Sequence, residues 1–139
     1  ARKALQQRAA DAHRDGRRIL IFPEGHLARV GEKHRYRSGV WHMGRDFGLP
    51  VVPVATNLGL FWPQQAFRKR PGVATLAFLP ALSPGLDKAE FLQRLETAIE
   101  DRTAELVAQA TGQAVTPAVQ VPAPDEAGKA AAAASVANS

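Results

Sequence analysis

The stretch Ile19-Leu20-Ile21-Phe22-Pro23-Glu24-Gly25, taken with Val51-Val52-Pro53-Val54-Ala55, decides how this chain is read. Four apolar residues in a row at 19–22 suit a short strand covered on both faces. Pro23 has no N–H to continue a ladder, so the strand ends there, and Glu24 and Gly25 fall on the turn. Residues 23–38 follow as a long polar loop. Residues 39–47 read as a helix with Val40, Met43 and Phe47 on one stripe, closed by Gly48. Pro50 blocks its continuation, and a second apolar strand begins at Val51 and runs to Thr56. Strand, helix, strand is a βαβ unit, whose two strands are expected to be parallel with a right-handed crossover. In such sheets the ligand sits outside the carboxyl ends of the strands, which is where Glu24 and the loop lie.

Working outward, residues 1–15 read as a helix, with Leu5, Ala9 and Ala12 at helical spacing and Gly16 as its stop. Downstream, 57–70 is irregular and carries Phe61, Trp62 and Phe67; Pro71-Gly72 is a turn and 73–79 a third strand. From Asp87 to about Ala110 runs the clearest helix. Asp87 with Glu90 forms a capping-box pattern, and Phe91, Leu92, Leu95, Ala98, Ile99, Leu106 and Val107 form the stripe to be buried. Gly112 ends it. Residues 113–139 are Ala-, Pro-, Val- and Gln-rich without aromatics and read as a disordered tail, leaving 1–112 as the folded unit.

A chain of 139 residues fits one domain with a real core. The absence of Cys excludes disulfides, thiolate metal ligands and cysteine catalysis, and fits a reducing compartment. No apolar run approaches the roughly 20 residues of a membrane span, and no signal-peptide pattern opens the sequence. The chain starts without Met, inside a helix pattern, as expected of a piece of a longer protein. The net charge is +5, and between Arg14 and Arg70 there are 11 Lys/Arg against 4 Asp/Glu. Such a basic surplus attracts a phosphorylated metabolite, an anionic membrane surface or nucleic acid, or is simply a solvated face.

Glu24 is costly to bury unless paired or hydrogen-bonded. It suits a ligand's hydroxyls or a bound cation, and equally a helix cap or a pair with Arg37. The loop holds Arg29, Lys33, His34, Arg35 and Arg37, five potential cations in nine residues. The planar guanidinium matches phosphate oxygens, and Arg37 is favoured because Ser38-Gly39 opens a helix whose terminal amides also favour anions. Not all five can point inward, and incidental charge on an exposed loop is the plain alternative. His42 and Asp46 stand four apart on a helix face; such a couple serves as a general base but is more often a surface pair. His13, His26 and His34 have no partner at fixed spacing. No metal-ligand cluster and no Walker or Rossmann glycine loop is present. Trp41, Phe61, Trp62 and Phe67 suit the core or an acyl-chain groove, and Phe61-Trp62-Pro63 near Arg68-Lys69-Arg70 suits a lipid headgroup interface.

Phe22-Pro23-Glu24-Gly25 resembles the third conserved block of the glycerophosphate and lysophosphatidate acyltransferases, the PlsC-like family, and Val51-Val52-Pro53-Val54-Ala55 resembles the fourth. Tyr36-Arg37-Ser38-Gly39, Gly48-Leu49-Pro50, Phe61-Trp62-Pro63 and Lys69-Arg70-Pro71-Gly72 fit the series, so the resemblance covers roughly residues 1–110. It implies an α/β fold, a mixed, largely parallel sheet flanked by helices, incomplete at the N-terminus. It implies phospholipid biosynthesis: transfer of a fatty acyl group from acyl-CoA or acyl-carrier protein to lysophosphatidate, with no metal or cofactor. Acceptor binding then falls to Pro23, Glu24 and Gly25, with Arg29 or Arg37 on the phosphate. The setting implied is the cytoplasmic face of a bacterial inner membrane.

Two departures bear on this. The family's His followed by Asp after four residues, the catalytic base upstream of the third block, does not occur: no His here has Asp five positions on. No catalytic residue is therefore assigned, and this chain by itself is expected to lack activity. The third block also continues Gly25-His26-Leu27 where the family has Gly-Thr-Arg; Leu27 cannot hold phosphate, and Arg29 is the nearest substitute. The alternatives are a non-catalytic module for anionic lipid headgroups and a decayed fragment. Nucleic-acid binding has only the charge in its favour, without a motif.

Overall fold

The computed structural model of the chain describes residues 2–25, 28–63 and 67–121. Helix α1 (Arg2–Arg14) packs on α2 (Gly39–Phe47). Ala9 is buried at that contact, and the His13 and Phe47 rings meet at 5.6 Å. The side chain of Leu5 lies outside the described residues. The two helices end in the same way. Gly16 and Gly48 take the left-handed conformation, at φ 68° and 62°. Arg17 N–H then reaches back to Ala12 O and Leu49 N–H to Gly44 O, each at 2.8 Å. This is the Schellman closure, which satisfies carbonyls the helix leaves open.

Of residues 51–56, read as one apolar strand, 54–56 form a strand with Ala55 buried while Val52 is exposed, and the partner differs from the one expected. Strand β2 (Val54–Thr56) pairs antiparallel with β3 (Leu76–Phe78), Ala55 opposite Ala77, and the pairing continues through Pro53 O accepting Leu79 N–H and a bridge between Val51 and Leu82. The expected parallel partner, 19–22, is extended but joins no ladder among the described residues. Nor is it covered on both faces. An extended chain alternates its side chains: Ile21 packs against the core, whereas Leu20 and Phe22 are 76% and 72% exposed. A layer covers only one of its faces.

The long helix α3 (Lys88–Thr111) lies against β2. Asp87 caps it by accepting from Ala89 N–H and Glu90 N–H. The reciprocal half of the capping box is replaced by a Glu90–Arg94 ion pair one turn on. Phe91 and Leu95 from α3 meet Tyr36, Val40 and Trp41 in the core, each such side chain contributing ~1.5–3 kcal/mol by burial. Trp41 satisfies its indole N–H on Leu86 O at 3.0 Å, and Gly44 lets Val51 approach where a Cβ would sit 3.1 Å from it.

The loop at 23–38 contains strand β1 (Glu32–Lys33), paired parallel with β4 (Val119–Gln120). Val119 N–H bonds Gly31 O and Val121 N–H bonds Lys33 O. The start of the segment read as a tail therefore folds back onto the loop at 119–120; residues 122–139 lie outside the described residues. The chain is thus α/β, with one parallel and one antiparallel strand pair flanked by helices.

Candidate functional site

Phe22 to Gly25 form a tight turn, closed by Gly25 N–H to Phe22 O at 3.1 Å. Pro23 presets the backbone for its second position. Gly25 sits at φ 68°, where an L side chain is strained, and a Cβ there would lie 3.1 Å from Arg37 Nε and 3.4 Å from Arg37 Cδ. The glycine is required twice, for its conformation and for the approach of the arginine. Arg37 is held there by its own main chain, since its N–H donates to Pro23 O at 2.8 Å. Its side chain is exposed. The structure thus brings Pro23, Glu24, Gly25 and Arg37 together.

Beneath the turn lies a partly buried polar cluster that ties the loop to α3. Tyr36, 4% exposed, donates its hydroxyl to Glu100 Oε1 at 2.9 Å. Lys33 Nζ donates to Glu96 Oε1 at 2.9 Å. Glu24 accepts the His34 backbone N–H and directs one oxygen, Oε2, into the interior. Burial pushes its carboxyl above the usual range, and the nearby Glu100 and Glu96 push the same way. Glu100 is raised as well, chiefly by burial, with the Tyr36 hydroxyl and Lys33 opposing. The hydrogen bond to Glu96 raises Lys33. Burial, then Glu100, raises the Tyr36 phenol, so it remains a donor.

The remaining loop cations fall elsewhere. Lys33 is committed to Glu96. Arg29 lies in a separate turn, its carbonyl accepting Glu32 N–H, and its exposed guanidinium makes no hydrogen bond or ion pair among the described residues. His26 and Leu27 lie outside the described residues. No hydrogen bond or ion pair joins His42 to Asp46; the His42 ring instead packs edge-on against Trp41 at 4.8 Å. That contact leaves no orienting carboxylate for a base at this position. Among the described residues no group of three His, Asp or Glu side chains is placed to hold a metal ion.

Sequence reasoning missed Glu96, Glu100 and Tyr36. The signal was there: Glu96 and Glu100 are one turn apart on α3, beside the buried Leu95 and the partly buried Ile99, and a carboxylate pair beside a buried stripe calls for partners. Beside the turn opens a groove of about 710 Å³, walled by Ala9, Ala12, Met43 and the 19–22 segment, with Arg8 and Arg18 among its lining. Of the four aromatics read as core or groove, Trp41 is core and none lines the groove, whose one aromatic is Phe22.

A sequence profile described as Acyltransferase matches residues 1–57. A 1-acyl-sn-glycerol-3-phosphate acyltransferase of Pseudomonas aeruginosa is 32% identical over 110 residues, covering 76% of this chain and 43% of the relative. One from Limnanthes douglasii is 33% identical over 66 residues, covering 47% of this chain and 24% of the relative. Among solved structures, the 1-acyl-sn-glycerophosphate (LPA) acyltransferase PlsC of Thermotoga maritima superposes with a TM-score of 0.66 at 22% identity, covering 74% of this chain and 44% of that one; it supports the fold. The chain is thus similar to acyltransferases over 76% of its own length, and it spans less than half the length of these relatives.

Proposed function

We propose that this chain is the acceptor-binding part of a lysophosphatidate acyltransferase. The observation that carries the reading is Arg37 laid across Gly25 and tethered to Pro23 O. The main-chain tether places Arg37 beside the turn, and its planar guanidinium matches phosphate oxygens. The apolar groove beside it, with Arg8 and Arg18 among its lining, suits the acyl chain of the same molecule. Glu24 serves the site from below, holding the turn through the His34 N–H, and Arg29, in a separate turn, supplies a second cation. The acyl donor is acyl-CoA or acyl-carrier protein, and the place of action is the cytoplasmic face of a bacterial membrane.

In direct acyl transfer the acceptor hydroxyl must lose its proton as it attacks the thioester carbonyl. The chain has no His followed by Asp after four residues, and the one His–Asp couple on a helix is not joined. The base is therefore assigned to a part of the longer protein outside this sequence. The test is an acyl-CoA and acyl-carrier-protein turnover assay with lysophosphatidate. The 139-residue chain is expected to turn over neither donor; robust turnover would refute the division of labour proposed here. Replacing Arg29 and Arg37 together by Ala should abolish lysophosphatidate binding, and unchanged binding would refute the phosphate clamp.

A further inference from the structure

The loop between β2 and β3 is anchored at its base and open at its tip. Arg70 N–H donates to Phe61 O at 2.8 Å, and the Phe61 ring fills the space a side chain at Gly72 would need. Asn57, buried, ties the other end by accepting Thr75 N–H at 2.8 Å. Beyond these anchors Trp62 is 59%, Val73 80% and Phe67 fully exposed. Lys69 Nζ sits 3.8 Å from the centre of the Trp62 ring. Arg68 and Arg70 flank it, both exposed. Between Asp46 and Asp87 the sequence has no acidic residue at all.

We propose that this loop tip is a docking surface for an anionic phospholipid bilayer, with Phe67 and Trp62 entering the headgroup boundary and Arg68, Lys69 and Arg70 on the lipid phosphates. An exposed apolar cluster marks a contact site. The absence of any acidic side chain over this stretch sets the sign of the partner. Lipid, rather than nucleic acid, is favoured by Val73, an exposed aliphatic side chain that gains from an apolar medium and has no ring to stack on a base, and by Trp62, one of whose faces Lys69 already occupies. Tryptophan at the interface with basic residues beside it is the arrangement bilayers stabilise. The inference rests on this loop and not on the Arg37 turn, so the two stand or fall separately.

The test uses the chain as it is, with phosphatidylcholine vesicles and with vesicles containing about one-third phosphatidylglycerol, the anionic component supplying the attraction. Sedimentation is expected with the anionic vesicles only, and R68A/K69A/R70A should weaken it on the order of 100-fold. A charge-matched control on α3, K88A/R94A/R102A, should weaken it far less. Brominated acyl chains should quench wild-type tryptophan emission, and Trp62→Phe should remove that quenching because Trp41 is buried. Four results would overturn the proposal: no sedimentation with anionic vesicles, an equal loss in the α3 control, quenching unchanged in Trp62→Phe, or tighter binding to an oligonucleotide than to vesicles at the same salt.

Discussion

Replacing Tyr36 by Phe removes one atom from the joint between the loop and α3. The ring stays, so the packing against Val40 and Phe91 is kept; what goes is the hydroxyl donated to Glu100 Oε1 at 2.9 Å. A hydrogen bond to a charged acceptor contributes ~1.5–3 kcal/mol. Glu100 is only half-buried and can recruit water in place of the phenol, so the expected loss is about 1–2 kcal/mol. Urea unfolding reads it as a shift of midpoint with an unchanged slope. The contact itself is isolated by repeating the substitution in a Glu100→Gln background. The two losses should then fall short of additivity by about 1 kcal/mol. Tyr36 precedes the arginine tethered to Pro23, so lysophosphatidate binding should weaken too, by less than in Arg37→Ala. Strict additivity, or a Tyr36→Phe protein as stable as wild type, would refute the claim that this bond docks the loop.

Gly25→Ala should destabilise by about 1–2 kcal/mol from the left-handed backbone alone, and should cost phosphate binding more than stability because its Cβ crowds Arg37 Nε; a variant that binds normally would argue against the close approach. For pH, Glu24 and Glu100 both titrate above their ordinary range in the folded chain. The folded state therefore holds protons that the unfolded state has released, and these two groups make stability fall as pH rises from the ordinary carboxylate range through their raised values. Glu24→Gln should flatten that slope in urea titrations taken at a series of pH values; a slope unchanged in Glu24→Gln would show that the carboxyl is not shifted. Asn57→Ala should cost about 1–3 kcal/mol, since it leaves the Thr75 N–H without its acceptor, and a loss below about 0.5 kcal/mol would mean that the β2–β3 loop does not depend on that anchor.

The helices were legible because their stops and stripes are local. Gly48 and Gly112 close α2 and α3 where the sequence places them, and Asp87 caps α3. Strand partners were not legible. The run 19–22 and the strand at 51–56 are both apolar, and nothing in either says that the second pairs antiparallel with 76–82 while the first joins no ladder among the described residues. Pairing is a tertiary choice that local apolar runs do not encode. Likewise Pro23 and Gly25 could be named because a tight turn favours those residue types, and Arg37 because it stands just before the start of a helix. The floor of the site could not, because it is built by Glu96 and Glu100, more than 70 residues downstream of Glu24. Val119–Gln120 pairing with the loop was hidden by a composition that resembles an unstructured tail.

The central claim is that the Arg37-crossed turn receives the phosphate of a lysophosphatidate acceptor. Calorimetric titration of the chain with a short-chain lysophosphatidate below its micelle concentration tests it most directly. Saturable binding of one molecule, weakened at least about tenfold by Arg37→Ala as expected for a charge-assisted hydrogen bond, is the predicted result; no binding, or equal binding by the Arg37→Ala chain, would contradict it.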